Sequence, residues 1–363
     1  MKYYLIVLVL SAACASGPGR LKNLTKHNID YQSKDTSVNV ADGELNFTIQ
    51  YTGCGGLVLQ KENSAIMIDP FFSNQRVMRI GSSLFGRGHL GKRKLSSDER
   101  MIATGLKTVE RQIDDLQNVT TILSAHSHYD HLMDVPAIFD RLKKQPMVYL
   151  NRSGFNTCYN VIDTNKMKLL EDHMTTQEVN RPPIVLDIAG GTVHIYPILA
   201  EHNPHFKYVK FFSGGKTTPV EDYTTAYGRT RANDWLEGSV FSFLIDYVDQ
   251  AGKIEFRIFI QSSSCNPPSG VPPQSLLKGR AVDVALLGLV SFHFSTEYPC
   301  TLLEALRPKE VVWIHWEDFF RRYTKEPKTV RGTDVIKFFE LPCVDRYKNK
   351  SLLPLPGVAL DFR

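Results

Sequence analysis

Cysteine is scarce in this chain, and so are long apolar runs and one-sided charge. Six cysteines are spread over 363 residues. Five of them, Cys54, Cys158, Cys265, Cys300 and Cys343, lie far apart, so they do not make the dense disulfide framework of small secreted folds. Most read as small buried hydrophobes. A membrane-spanning helix needs about 20 apolar residues, and the N-terminal apolar stretch runs only from Tyr3 to Leu10. Lys and Arg outnumber Asp and Glu by only 43 to 38. No dense basic tract interleaved with aromatics occurs, which argues against nucleic acid as a partner. A repeat of fixed short period and an internal linker are also missing, so one main folded domain is the simplest organisation.

What is present begins with an export signal. "MKYYLIVLVLSAACASG" has one lysine, a short apolar stretch and then small residues, the layout of a secretory signal peptide over residues 1–15. Two processing sites compete. Ala13-Cys14-Ala15 suits ordinary cleavage, whereas Ser11-Ala12-Ala13-Cys14 is an imperfect lipobox that would leave a lipidated Cys14 on a membrane surface. The chain is therefore expected to be exported, as a lipoprotein or a secreted protein. Residues 16–43 are polar and read as a tether, residues 44–345 as the folded domain, and residues 346–363 as a C-terminal tail. With 42% hydrophobic residues, the domain can bury a large core.

From Leu45 onward, short β-rich runs alternate with turn residues: "LNFTIQYT", "GLVLQ" and "AIMIDP", then "TTILSAH", "VHIYPILA", "SVFSFLIDYV", "EFRIFIQ", "VDVALLGLV" and "EVVWIHW". The clearest helix is predicted over 98–116, opened by Ser96 or Ser97. Ile102, Leu106, Val109, Ile113 and Leu116 fall on one of its faces. Further helices are predicted near 134–144, 301–306 and 334–341. Strands in meander order followed by strands mixed with helices, in two similar halves, predict an α/β (α+β) fold of packed sheets with helices outside.

Directly after the apolar run "TTIL" comes "SAHSHYDHL", residues 124–132. His126 and His128 are two apart, as ligands at or just beyond a strand end would be. Asp130 and His131 are adjacent, so they point differently and can serve a second ion. Imidazole nitrogen and carboxylate oxygen are ligands zinc takes, and a catalytic site leaves one position open for water. Iron or manganese suits similar ligands.

The pattern His-x-His-x-Asp-His resembles the signature of the metallo-β-lactamase fold superfamily, whose fold is a four-layer αββα sandwich. The resemblance extends from about Leu45 to about Glu340. It implies that Asp69 in "AIMIDPFFS" supports the metal site from behind, and that His202 in "PILAEHNPH" and His315 in "EVVWIHWEDFF" complete it. His126, His128 and His202 would then hold one zinc, and Asp130, His131 and His315 a second. "DPFFS", "HSHYDHL" and "HWEDF" look most like the N-acylphosphatidylethanolamine phospholipase D and L-ascorbate-6-phosphate lactonase group.

One departure stands out. The family places an aspartate between both metals at the end of a strand, and here "RIFIQSSSCN" offers Ser263 at that place. A neutral hydroxyl is a poor zinc ligand, so one ion is expected and the second is conditional. Cys265, two residues on, is a candidate thiolate replacement or else a buried turn cysteine. His205, three after His202, is a further candidate ligand. His293 follows a buried strand and is read as a substrate-contacting catalytic residue or a loop histidine, and Tyr129 as a residue able to reach substrate oxygen. Glu317 and Asp318 either orient His315 or are solvated charges. The resulting expectation is a zinc-dependent hydrolase in which Asp130 takes part in catalysis. Zinc lowers the pKa of bound water and polarises the bond attacked. The first substrate expectation is a phospholipid-like phosphodiester. An ester or lactone hydrolase, and a degenerate metal-site binding protein, are the alternatives. Substrate choice is expected in loops such as 73–94.

Overall fold

A computed structural model describes residues 19–40, 46–84, 95–111, 116–205, 209–220 and 231–363. The N-terminal signal, the lipobox and residues 85–94 of loop 73–94 lie outside them, while Val77–Leu84 of that loop are helical. Strands β1 (Thr36–Val38), β2 (Phe47–Gly53), β3 (Gly56–Lys61), β4 (Ser64–Ile68), β5 (Val119–Leu123), β6 (Met147–Leu150) and β7 (Met167–Leu169) lie in one sheet. Strands β8 (Ile184–Ile188), β9 (Gly191–Ala200), β10 (Val240–Asp249), β11 (Ile254–Gln261), β12 (Val284–Gly288), β13 (Glu310–Ile314) and β14 (Ser351–Leu352) form the other. The last strand, β15 (Ala359–Phe362), returns to the first sheet between β1 and β2. Each half begins as an antiparallel meander, β2-β3-β4 or β8-β9-β10-β11, and continues as parallel strands, β4 to β7 or β11 to β14.

Near-continuous apolar strands follow from burial on both faces. Phe47, Ile49, Tyr51, Leu57, Leu59, Ile66 and Ile68 point at the second sheet and share its core. The Phe47 ring meets Tyr247 at 4.8 Å and Phe256 at 4.9 Å, so the two sheets touch through aromatic side chains. Val58, Ala65 and Met67, on the opposite face, pack under helices Glu99–Val109 and Val135–Arg141. Beyond the second sheet, Trp313 stacks edge-on against Phe338 of helix Val335–Phe339 at 4.8 Å, and helix Cys300–Leu306 joins the same cluster. The result is a mixed α/β sandwich with a helix layer outside each sheet, as expected.

Several expectations need correction. Residues 346–363 are not a tail, because β15 pairs with both β1 and β2, and β14 pairs with β13. The described part of the tether is also folded. Leu21 and Leu24 of helix Leu21–Lys26 are buried, and β1 completes the sheet. The polar composition concealed this, since only a few apolar side chains hold the segment. The helix predicted over 98–116 runs from Glu99 to Val109. Its cap is Asp98, whose carboxylate accepts the N–H groups of Arg100 and Met101, rather than Ser96 or Ser97. Ile113 lies outside the described residues, and Leu116 opens a separate 3₁₀ turn. Finally, Cys300 and Cys343 form a disulfide, where buried free thiols were the general expectation.

Candidate metal centre

Strand ends and turns converge at one end of the sandwich: β4 leads to Asp69, β5 to 126–131, β9 to His202, β11 to Ser262 and Ser263, and β13 to His315. His126 Nε2 and His128 Nδ1 lie 3.0 Å apart. The His202 ring is 5.2 Å from His126 and 5.0 Å from His128, centre to centre. One ligand atom from each of these three histidines falls within 4.8 Å of the others. His202 Nδ1–H donates to the Asn203 carbonyl at 2.6 Å, which leaves Nε2 with its lone pair for a cation.

A second set adjoins the first. Asp130 Oδ2 lies 3.9 Å from His131 Nε2 and 4.0 Å from His315 Nε2. Asp69 lies behind this set. Its Oδ1 accepts the Ala125 N–H at 2.7 Å, and its Oδ2 lies 2.9 Å from His131 Nδ1, although poorly aligned for a hydrogen bond. The "DPFFS" turn is tied down by buried Asp134, whose Oδ2 accepts the N–H groups of Phe72 and Ser73 at 2.8 Å each. Burial pushes the Asp134 carboxyl up to about 6 against those hydrogen bonds.

Electrostatics favour neutral imidazoles, the form that binds metal. Burial first, and neighbouring histidines second, hold His126, His128 and His315 well below the usual histidine range. Burial lowers His202 to about 4. His131 differs: burial depresses it, but the Asp69 carboxylate more than compensates, and its pKa ends raised. A buried cluster of histidine nitrogens that includes unpartnered His126 Nδ1, His128 Nε2 and His315 Nδ1 is costly unless a cation or ordered partners satisfy it. The donor set therefore fits a divalent metal.

The remaining candidates separate. His205 belongs to the cluster, stacked on His202 at 4.7 Å and 5.3 Å from His128. Its Nδ1 accepts the Phe211 N–H, and burial holds its pKa well down. His293 does not join. It is exposed in a 3₁₀ turn, and its described ring contacts are Phe292 and Phe294. The left-handed turn at Ser291 precedes that segment. Cys265 is turned elsewhere as well: its Sγ accepts from Gln261 Nε2 and donates to the Ser269 carbonyl. Ser263 is buried with an unpartnered hydroxyl, and so is Ser262. Tyr129 is core, packed between Phe71 and Phe212. Asp318 and Glu317 are both buried: Asp318 pairs with Arg331, and Glu317 braces the site.

Sequence reasoning missed two features. Cys54, at the tip of the β2–β3 hairpin, brings its Sγ within 3.7 Å of Asp130 Oδ2 and 3.9 Å of His315 Nε2. The available signal was a cysteine set between glycines in "TGCGG". Glu237, whose Oε2 is 3.7 Å from His128 Nε2 and whose Oε1 pairs with Lys210 at 2.7 Å, gave no local signal. A separate cavity of about 830 Å³, bordered by His27, Trp313 and Phe339, shares none of these ligand-type residues.

No family model and no curated protein matches the chain. Solved structures do. Igni18, a metallo hydrolase from Ignicoccus hospitalis, aligns at 14% identity over 88% of this chain and 100% of its own, with a TM-score of 0.45. An isothiocyanate hydrolase from Delia radicum gut bacteria aligns at 15% identity over 87% and 99%, with a TM-score of 0.47. YhfI of Bacillus subtilis, a metallo-β-lactamase fold protein, aligns at 8% identity over 86% and 98%, with a TM-score of 0.45. These likenesses are distant, and what the site can do follows from its own side chains.

Proposed function

We propose that the protein is an exported metal-dependent hydrolase, with zinc as its metal and a phospholipid-like phosphodiester as its substrate. One observation carries the metal-dependent part: six buried or nearly buried ligand-type residues, His126, His128, His202, Asp130, His131 and His315, meet at one end of the sandwich. Zinc bound there would supply a nucleophile at neutral pH by lowering the pKa of a water, and would polarise the bond attacked. The protein's own part is to hold the imidazoles in fixed orientation, through the Asn203 carbonyl on His202 and the Asp69 carboxylate beside His131. Asp130, beside both His131 and His315, is the carboxylate placed to orient the attacking group.

Two features support a lipid-like phosphodiester. With Ser263 where a carboxylate would stand, the site has one fewer negative charge and suits an anionic substrate. Aromatic residues flank it on both sides. Phe212 packs on His128 at 5.8 Å and on His205 at 6.0 Å, and Phe319 on His315 at 5.0 Å. An apolar group attached to an anionic centre matches that rim. The motif likeness to the N-acylphosphatidylethanolamine phospholipase D group points the same way. Export is supported by the signal-like N-terminus and by the Cys300–Cys343 disulfide. A lipidated Cys14 would hold the enzyme at a membrane surface. No helix among the described residues is long and apolar enough to cross a membrane.

The test is bound-metal analysis together with a panel of phosphodiesters, carboxylic esters and lactones, on wild type and His128→Ala. The expected result is a metalloprotein with phosphodiesterase activity that falls at least about 100-fold in the variant. Activity that survives the mutation would sink the metal mechanism. Turnover of esters or lactones alone would move the substrate class, and bound metal without turnover would indicate a binding protein.

A further inference from the structure

We propose that Cys54 is a thiolate ligand of the second metal position, supplying the negative charge that Ser263 does not. The inference rests on the metal-dependent reading above, but it concerns a residue outside the ligand set that the His-x-His-x-Asp-His pattern implies. Cys54 Sγ, Asp130 Oδ2 and His315 Nε2 lie 3.7, 3.9 and 4.0 Å apart pairwise. Tetrahedral zinc with bonds of about 2.0–2.3 Å would place such atoms about 3.4–3.6 Å apart. All three residues are buried. His131 Nε2 lies beside the set, 3.9 Å from Asp130 Oδ2.

The backbone is built to hold the thiol there. Gly53, Cys54 and Gly55 have φ of +99°, +55° and +83°. A non-glycine residue held in the left-handed region is uncommon and, as here, typical of sites where position matters more than comfort. Asp69 at +46° and His315 at +52° share that conformation. The Cys54 N–H donates to Glu317 Oε1. The Tyr51 hydroxyl donates to Glu317 Oε2 and accepts the His315 N–H at 2.9 Å. One buried carboxylate thus locks the hairpin tip to the end of β13.

A second observation points to the same place. A β-carbon on Gly55 would lie 3.1 Å from Ser262 Cβ, 3.4 Å from His131 Cε1 and 3.6 Å from His315 Cδ2. Ser262 therefore faces this set, and its hydroxyl is fully buried with no hydrogen-bond partner. Neither other free cysteine among the described residues competes. Cys265 is engaged with Gln261 and Ser269, and Cys158 is buried in an apolar cluster. On loading, the Cys54 S–H bond breaks, its proton leaves to water, and a sulfur–metal bond forms without any redox change.

Metal stoichiometry and the absorption of the cobalt-substituted protein test this directly. Wild type is expected to load two ions per chain and to show near-ultraviolet thiolate-to-cobalt charge transfer. Cys54→Ser is expected to load one ion and to lose that band, while the visible absorption of cobalt at the histidine position persists and reports a folded chain. Cys265→Ser is expected to keep both ions and the band. If Cys54→Ser does not fold, the band in wild type, Cys14→Ser, Cys158→Ser and Cys265→Ser identifies Cys54 by elimination, since Cys300 and Cys343 are paired, and its absence from wild type refutes the assignment. A second ion retained with the band in Cys54→Ser would overturn the proposal. A wild type that binds one ion and hydrolyses substrate would overturn this proposal alone. Two ions with the band but no turnover would leave it standing while the hydrolase reading fails.

Discussion

Glu317 shows how much one buried side chain can settle. Its two oxygens accept from the Cys54 backbone and the Tyr51 phenol, and that phenol has already accepted the His315 N–H. Burial raises the Glu317 carboxyl, and the hydrogen bond from Tyr51 pulls it back. Replacing it by glutamine leaves one acceptor for two donors, so either Cys54 N–H or Tyr51 O–H goes unpaired in the interior. An unsatisfied buried donor costs about 1–3 kcal/mol. Glu317→Gln is therefore expected to lower unfolding stability by that amount in urea melts, and Glu317→Ala by more. Unchanged stability in both would show that water replaces the carboxylate. Residues of this kind were hard to see in the sequence. The cluster 126–131 was legible because its members are neighbours in the chain. Cys54, Asp130 and His315 are brought together only by the fold, and Glu317 next to Asp318 looks the same on paper whether it is buried or solvated.

Among the elements, the long central strands were legible because burial on both faces leaves unbroken apolar runs. Short strands were not. Met167–Leu169 and Ser351–Leu352 carry too few residues for any period to show, and Thr36–Val38 sits in a polar stretch. Central strands also carry one charge pair that periodicity would call an error. On β10 and β11, Asp246 and Arg257 are register partners. The guanidinium bonds both carboxylate oxygens, at 2.6 and 2.7 Å, and donates to the carbonyls of Leu276 and Arg280. Both residues are buried. Removing one partner of such a pair strands a buried charge and costs about 3–5 kcal/mol. Asp246→Ala is expected to destabilise by that much, and a Asp246→Asn variant by less, as read from denaturant midpoints. A shift below about 1 kcal/mol for Asp246→Ala would mean that the two carbonyls suffice for the arginine.

At the scale of the whole molecule, the two ends of the described chain meet in one sheet. β1 pairs in parallel with β15, and β15 with β2, whose far end carries the Cys54 turn. Truncating what composition suggests to be a tether or a tail would therefore remove strands that brace the metal site. The Cys300–Cys343 disulfide acts on the opposite sheet, joining helices Cys300–Leu306 and Pro342–Asp345 over a separation of 43 residues. In the chain-entropy account, closing a loop of that size restricts the unfolded state by about 4 kcal/mol, an upper value wherever the unfolded chain keeps structure. Cysteine spacing alone could not reveal the pair, because the partners belong to different helices and meet only after both pack on Trp313 and its neighbours. Protein produced in an oxidising compartment is expected to yield a cross-linked Cys300–Cys343 peptide in non-reducing digests. A mild reductant is expected to lower its melting temperature measurably. Free thiols at both positions in such material would remove the structural support for export and leave that inference to the N-terminal signal alone.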